Sequence, residues 1–290
     1  MKTEKVAVIG AGTMGRGIAH VVALGGIDVN LFDVDSEALQ RAFETISKNL
    51  AKGEQLGKLE IGSAGKALNR IRLTDSLADA ASDVDIAIES APEDLELKMG
   101  LFRDLDQICG PECIFASNTS AKSITEIASA TTRARKVIGL HFFNPVHLMR
   151  LVEIVVGLET DQDTIDASTE FCSQIGKEHV VINEYPGFIT SRINAMIGNE
   201  AFYMLEAGVA SPEDIDKACR LGLNHPMGPF EMIDIVGLDT RLKILEYLHS
   251  SLGEKFRPSP LMVKYVKAGR LGKKVGRGVY EYGTGSDGGR

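Results

Sequence analysis

The stretch "LHFFNPVHLMRLVEIVVG" sets two groups capable of acid–base work in apolar surroundings. His141 ends one apolar run, and Glu153 interrupts another twelve positions later. An imidazole titrates nearest neutral pH and can take or give a proton during a reaction. A carboxylate beside it fixes the ring tautomer and stabilises the imidazolium that forms. A lone histidine at a strand end is more often a packing residue, and a lone glutamate on a strand a surface charge. The pair therefore carries meaning only through the elements that would position it.

The N-terminal stretch "VAVIGAGTMG" holds Gly10, Gly12 and Gly15 in G-x-G-x-x-G spacing. The first glycine allows a tight turn, the second lets backbone approach a pyrophosphate, and the third lets a helix pack close to its strand. A helix opening at Thr13 would offer free N–H groups and a positive dipole end to phosphates. The loop Gly10, Ala11, Gly12, Thr13, Met14 and Gly15 is thus a candidate cofactor cradle. Glycine-rich packing turns are common, but here a strand precedes the loop, a helix follows, and Asp33 ends the next strand. Asp33 would accept hydrogen bonds from ribose hydroxyls and repel a 2′-phosphate, which favours NAD over NADP.

The elements behind these groups alternate. "NRIRLTD", "VDIAIESA", "CIFASN", "KVIGLHFF", "RLVEIVV" and "EHVVIN" follow the first two strands, mostly with helical patterns between them. Such alternation predicts an α/β fold with a Rossmann-type, doubly wound, mainly parallel sheet. Between Asp33 and Ile71 the spacing of Leu39, Ala42, Phe43, Ile46 and Leu50 predicts a helical excursion projecting from the sheet. After Pro186-Gly187 strand alternation stops. "FITSRINAMIGNEAFYMLEAG", "SPEDIDKACRLG" and "TRLKILEYLHSSLG" read as helices, with Ser211 as N-cap before Pro212. The expected organisation is a cofactor-binding domain over 1–185 and an all-α domain over 186–290 for substrate and dimer contacts.

Composition narrows the class. The 290 residues are 44% apolar and 25% charged, enough for a sizeable core. A net charge of −8 argues against a general nucleic-acid binder, which needs basic surface. Cys109, Cys113, Cys172 and Cys219 form neither a disulfide framework nor a tetrahedral ligand set, so no metal and reduced cytosolic thiols are expected. Neither a signal peptide nor a membrane-spanning run is read from the chain, which predicts a cytoplasmic protein without membrane contact. The tail "GTGSDGGR" is expected to fray.

The chain resembles the L-3-hydroxyacyl-CoA dehydrogenase family, most nearly its short-chain 3-hydroxybutyryl-CoA members. "VIGAGTMGRGIA", "FASNTS", "GLHFFNPV", "LVEIV", "PGFITSR", "GLNHPMGPFEMIDIVGLD" and "GRLGKKVGRGVYEY" occur in order along essentially the whole chain. The resemblance implies that His141 and Glu153 are the catalytic pair and that Ser120 lies near both substrate and nicotinamide. It further implies cofactor contacts at Glu93, Lys98, Ser120, Asn144 and Lys274. Coenzyme A contacts are implied on the excursion, where Asn49 and Lys52 are the candidates, and a homodimer through the second domain. One position departs from the family pattern. Ser191 in "GFITSR" stands where the family usually has a substrate-binding asparagine. Ser191 is expected to act through a water, or Asn194, one helical turn on, to compensate.

With these pieces the opening pair acquires a task. Oxidising a secondary alcohol removes a proton from oxygen and a hydride from the same carbon. His141 would take the proton, Glu153 would orient it, and Ser120 could hydrogen-bond the reacting oxygen or the thioester carbonyl. The expected reaction is reversible, NAD-dependent oxidation of an L-3-hydroxyacyl-CoA. A dehydrogenase of a free hydroxy acid or sugar acid, and a non-catalytic NAD-binding protein, remain the rival readings at this stage. His20 is expected to pack within the first helix, His147 to lie near the site without acting, and His225 to be structural at the domain junction.

Overall fold

The computed structural model describes residues 2–283, so the tail expected to fray lies outside the described residues from Thr284 onward. The chain divides into two compact units, Met1–Tyr185 and Pro186–Arg290.

The first unit is built on one eight-stranded sheet. In chain order the strands are β1 (Lys5–Ile9), β2 (Asp28–Phe32), β3 (Ile71–Thr74), β4 (Ile86–Glu89), β5 (Ile114–Ser117), β6 (Val137–Phe142), β7 (Leu151–Val156) and β8 (Glu178–Asn183). Across the sheet they stand in the order β3-β2-β1-β4-β5-β6-β7-β8. Strands β1 to β6 run parallel, β7 turns back against β6, and β8 lies parallel to β7. Helices α1 (Thr13–Leu24), α2 (Ser36–Gln55), α3 (Ser63–Leu68), α4 (Leu77–Ala81), α5 (Leu95–Ile108), α6 (Ile124–Ala128) and α7 (Gln162–Gln174) fill the connections. The central strands are covered on both faces, which is why β4 and β5 are buried at every position and read as continuous runs. Strand order reverses at β1, between β2 and β4, and the crevice at such a reversal is where doubly wound sheets bind ligands.

The helical excursion consists of α2 and α3. Leu39, Ala42, Ile46 and Leu50 bury one stripe of α2 and join the core cluster that includes Ile18, Ala19 and Val22 of α1. Asp35 caps α2 by accepting from the Glu37 N–H at 2.9 Å. The opposite face of α2 carries Lys52, which is exposed, and Asn49 lies half-buried at its flank.

The second unit is helical among its described residues: α8 (Thr190–Glu206), α9 (Pro212–Gly222), α10 (Pro229–Val236), α11 (Leu238–Leu252) and α12 (Pro260–Lys267). Phe202 of α8 meets Phe230 and Tyr265 edge-on, with centroids 5.3 and 5.5 Å away. Two buried carboxylates tie the chain end to α10. Asp216 accepts from the Phe230 and Glu231 N–H groups and from the Tyr280 hydroxyl. Asp234 accepts from the Val279 and Tyr280 N–H groups and from the Tyr282 hydroxyl. This explains the "GRGVYEY" pattern: its tyrosines supply apolar rings and the donors that buried carboxylates require.

Candidate active site

The glycine loop leaves β1 at its carboxyl end. Gly10 has φ +106°, a conformation that L side chains rarely adopt, and a Cβ there would press on the Ser90 carbonyl. A Cβ on Gly15 would collide with the Gly10 carbonyl, so only glycine lets α1 start this close to its strand. Around Gly12 there is open space. Helix α1 begins without a side-chain cap and without a carboxylate in its first turn. Its leading N–H groups are therefore available to an anion, and the helix's own first turn sets no carboxylate against one. Asp33 is half-buried at the end of the second strand. Its Oδ2 accepts the Ala11 N–H at 2.7 Å and its Oδ1 the Asp35 N–H at 3.0 Å. Besides offering a carboxylate to a ribose, it pins the loop. These residues fit a dinucleotide: backbone donors for a pyrophosphate beside an acid for ribose hydroxyls.

Across the reversal, the ends of β4 and β5 carry a second group. Glu93 accepts from the Thr119 hydroxyl at 2.5 Å, the Ser120 N–H at 3.1 Å and the Ser120 hydroxyl at 3.4 Å. Burial works against ionisation of Glu93. The Lys98 ammonium, 3.2 Å away, and the hydrogen bonds from Thr119 and Ser120 outweigh it and hold the carboxyl below its ordinary range. Lys98, expected to touch the cofactor, is wholly buried. Its ammonium pairs with Glu89 at 2.7 Å and with Glu93 at 3.2 Å. Asn118 adds a link that sequence reading missed: its side-chain oxygen accepts the Phe142 N–H at 2.9 Å and so joins β5 to the residue after His141. Its one sequence signal is its place inside "FASNTS".

His141 and Glu153 stand directly opposite one another in the antiparallel β6–β7 pair. Opposed residues in such a pair point to the same face, which is how a twelve-residue separation closes to contact. His141 Nδ1 lies 2.7 Å from Glu153 Oε2, with His141 7% exposed and Glu153 fully buried. A carboxylate can only accept, so Nδ1 carries the hydrogen and Nε2 is the basic nitrogen of the neutral ring. The Phe143 ring lies against the imidazole at 4.5 Å between centroids.

The connection 143–150 carries exposed Asn144, whose peptide bond to Pro145 is cis. Two devices fix this connection. The Lys177 ammonium donates to the Val146 and Met149 carbonyls at 2.5 and 2.6 Å. His147 stacks on His20 of α1 with centroids 5.3 Å apart and rings 9° from parallel. Burial, then the neighbouring His147 and Lys177, push His20 down to about 4, so the ring is neutral near pH 7 and serves packing.

Ser191, Asn194 and Lys274 belong to the second unit. Ser191 and Asn194 lie half-buried on α8, one turn apart. Asn194 lines a small cavity of about 200 Å³ together with Ile197, His225, Met227 and Met232. Lys274 donates to both oxygens of Asp239 at 2.6 and 2.8 Å.

A sheet of this topology, with a dinucleotide loop at its reversal and a histidine–carboxylate pair at the same carboxyl edge, defines an NAD-dependent dehydrogenase. The family follows from comparison with known proteins. The model of the 3-hydroxyacyl-CoA dehydrogenase NAD binding domain matches residues 5–185, and that of the same family's C-terminal domain matches 187–282. The chain is 48% identical over 280 residues to a 3-hydroxybutyryl-CoA dehydrogenase of Bradyrhizobium diazoefficiens, covering 96% of this chain and 95% of the relative. It is 45% identical over 283 residues to a probable 3-hydroxybutyryl-CoA dehydrogenase of Bacillus subtilis, covering 97% and 98%. The crystal structure of (S)-3-hydroxybutyryl-CoA dehydrogenase from Ralstonia eutropha superposes with a TM-score of 0.95 at 42% identity, covering 98% of this chain and all of that one. The chain belongs to the 3-hydroxyacyl-CoA dehydrogenase family.

Proposed function

We propose that this protein catalyses the reversible, NAD-dependent oxidation of an L-3-hydroxyacyl-CoA, with 3-hydroxybutyryl-CoA as the expected substrate, to the 3-ketoacyl-CoA. The observation that carries the mechanism is the 2.7 Å contact between His141 Nδ1 and Glu153 Oε2. Bound NAD supplies the hydride acceptor. The residues of the glycine loop and Asp33 would hold it, with Glu93, Ser120, Asn144 and Lys274 as further contacts. His141 Nε2 takes the hydroxyl proton as the alcohol is oxidised, and Glu153 stabilises the imidazolium that results. In the reverse direction the imidazolium returns that proton to the ketone oxygen. Ser120, held by Glu93, donates to the reacting oxygen or to the thioester carbonyl.

Asn49 and Lys52 on α2 are the proposed coenzyme A contacts, the exposed ammonium of Lys52 being suited to a phosphate. A coenzyme A ester needs cations on the excursion, whereas a free hydroxy acid needs an arginine clamp on its carboxylate. Ser191 orients the acyl group through a water, or Asn194, one helical turn on, does so in its place. Replacing both by alanine is expected to lower kcat/KM about tenfold, on the order of one hydrogen bond; unchanged steady-state kinetics would remove both from the site. The working form is a cytoplasmic homodimer through the second unit, where Ile193, Leu221, Leu223 and Ile235 expose large apolar side chains.

An assay of NAD and NADP reduction across L- and D-3-hydroxyacyl-CoA esters of graded length tests this reading. The expected result is saturation by a short L ester with NAD, and little rate with NADP or the free acid. Saturation by the free hydroxy acid, or NADP used as well as NAD, would contradict it.

A further inference from the structure

Among the described residues, the last position of β4 presents a costly arrangement. Glu89 and Lys98 are both fully buried, 2.7 Å apart. Glu89 Oε1 also accepts the Ala91 N–H at 2.6 Å, and its Oε2 accepts the Ser117 hydroxyl at 2.6 Å. Taking two charges out of water is expensive, and an apolar pair of similar volume often serves stability as well or better. Stability alone is therefore a poor reason for this pair.

The pair leads outward. The Lys98 ammonium lies 3.2 Å from Glu93 Oε2, and the Glu93 side chain is 39% exposed. The other oxygen of Glu93 gathers the Thr119 hydroxyl together with the N–H and hydroxyl of Ser120. Thr119 Oγ1 in turn accepts the Ala121 and Lys122 N–H groups at 3.2 and 2.8 Å. One continuous chain of charge-assisted hydrogen bonds thus runs from the closed interior of the sheet to the turn at its carboxyl edge.

We propose that Glu89 is a positioning residue. It anchors the Lys98 ammonium, which holds Glu93 and through it the Thr119–Ser120 turn in the geometry the reaction needs. This rests on the reading of Glu93 and Ser120 given under Proposed function. The ammonium is divided between two carboxylates, and neutralising the inner one gives it wholly to Glu93. That carboxylate is then drawn inward, and Ser120 loses its support.

The test is Glu89→Gln, which keeps the shape and, with its oxygen toward Lys98 and the Ala91 N–H, leaves an NH₂ to donate to the Ser117 hydroxyl, alongside the double variant Glu89→Gln/Lys98→Met, which removes both buried charges. The expected result for Glu89→Gln is a loss of thermal stability with a fall in kcat of about 100-fold, the scale of a displacement of about one ångström. In the double variant stability returns to the wild-type level or above, while kcat stays low and NADH binds more weakly in a fluorescence titration. A merely structural pair would recover activity along with stability. Recovery of both in the double variant, or wild-type kinetics in Glu89→Gln, overturns the proposal. If the wild-type chain oxidises no hydroxyacyl-CoA, the functional reading fails separately. NADH affinity then decides for Glu89, and wild-type affinity in the double variant overturns its role.

Discussion

His141→Ala is expected to lower kcat by roughly 100- to 10,000-fold, the range that a positioned acid–base group contributes. The size follows from the geometry. The imidazole stands one residue before the end of β6 with Nδ1 committed to Glu153 at 2.7 Å, so Nε2 is a base of fixed tautomer and direction. Alanine leaves the proton to water, whose position nothing holds. The glycine loop and Asp33 follow β1 and β2, away from His141 on β6, so NADH affinity should change little, and a fluorescence titration beside the rate measurement separates lost chemistry from lost folding. A variant retaining more than a tenth of the wild-type kcat would remove His141 from the proton transfer.

Glu153→Gln is the second large effect, expected at roughly 100- to 10,000-fold in kcat. In the serine-protease arrangement the matching carboxylate-to-amide change costs about 10,000-fold by presenting the wrong imidazole tautomer. Glu153 is fully buried and directly opposite His141, so glutamine occupies the same space. Its NH₂ group can donate to Nδ1, which places the ring hydrogen on Nε2 and leaves no lone pair for the hydroxyl proton. Its oxygen can also face Nδ1, but the negative charge that stabilises the imidazolium is gone in either orientation. KM for the acyl-CoA should move far less than kcat. A rise in KM with kcat unchanged would make Glu153 a binding residue instead of an orienting one.

Much of the architecture was legible because it is written in local patterns. Glycine spacing between a strand and a helix, and Asp33 one strand later, identify the dinucleotide loop before any tertiary structure is known. The stripe Leu39, Ala42, Ile46 and Leu50 marks the excursion by its period. His141 and Glu153 were legible as out-of-place polar groups in apolar runs, and the family resemblance paired them, but no local pattern showed their contact. It depends on β7 running antiparallel to β6 in one register, and no local pattern encodes strand direction.

The same signal sits at Glu89, a carboxylate ending the apolar run "VDIAIES", yet its partner Lys98, placed at the cofactor by the resemblance alone, carries no local sign of burial. The missing information is burial, which α5 acquires only by packing on the sheet. The His20–His147 stack and the Lys177 clamp are hidden for the same reason: each joins segments far apart in sequence through side chains that are unremarkable locally.

The most direct measurement is a crystal structure of the ternary complex with NAD and acetoacetyl-CoA. His141 Nε2 is expected within about 2.6–3.2 Å of the substrate's 3-oxygen, the reach of direct proton transfer, with Nδ1 still on the Glu153 carboxylate. A 3-oxygen held by other groups, with the imidazole turned away from it or parted from Glu153, would contradict the mechanism and leave only the fold standing.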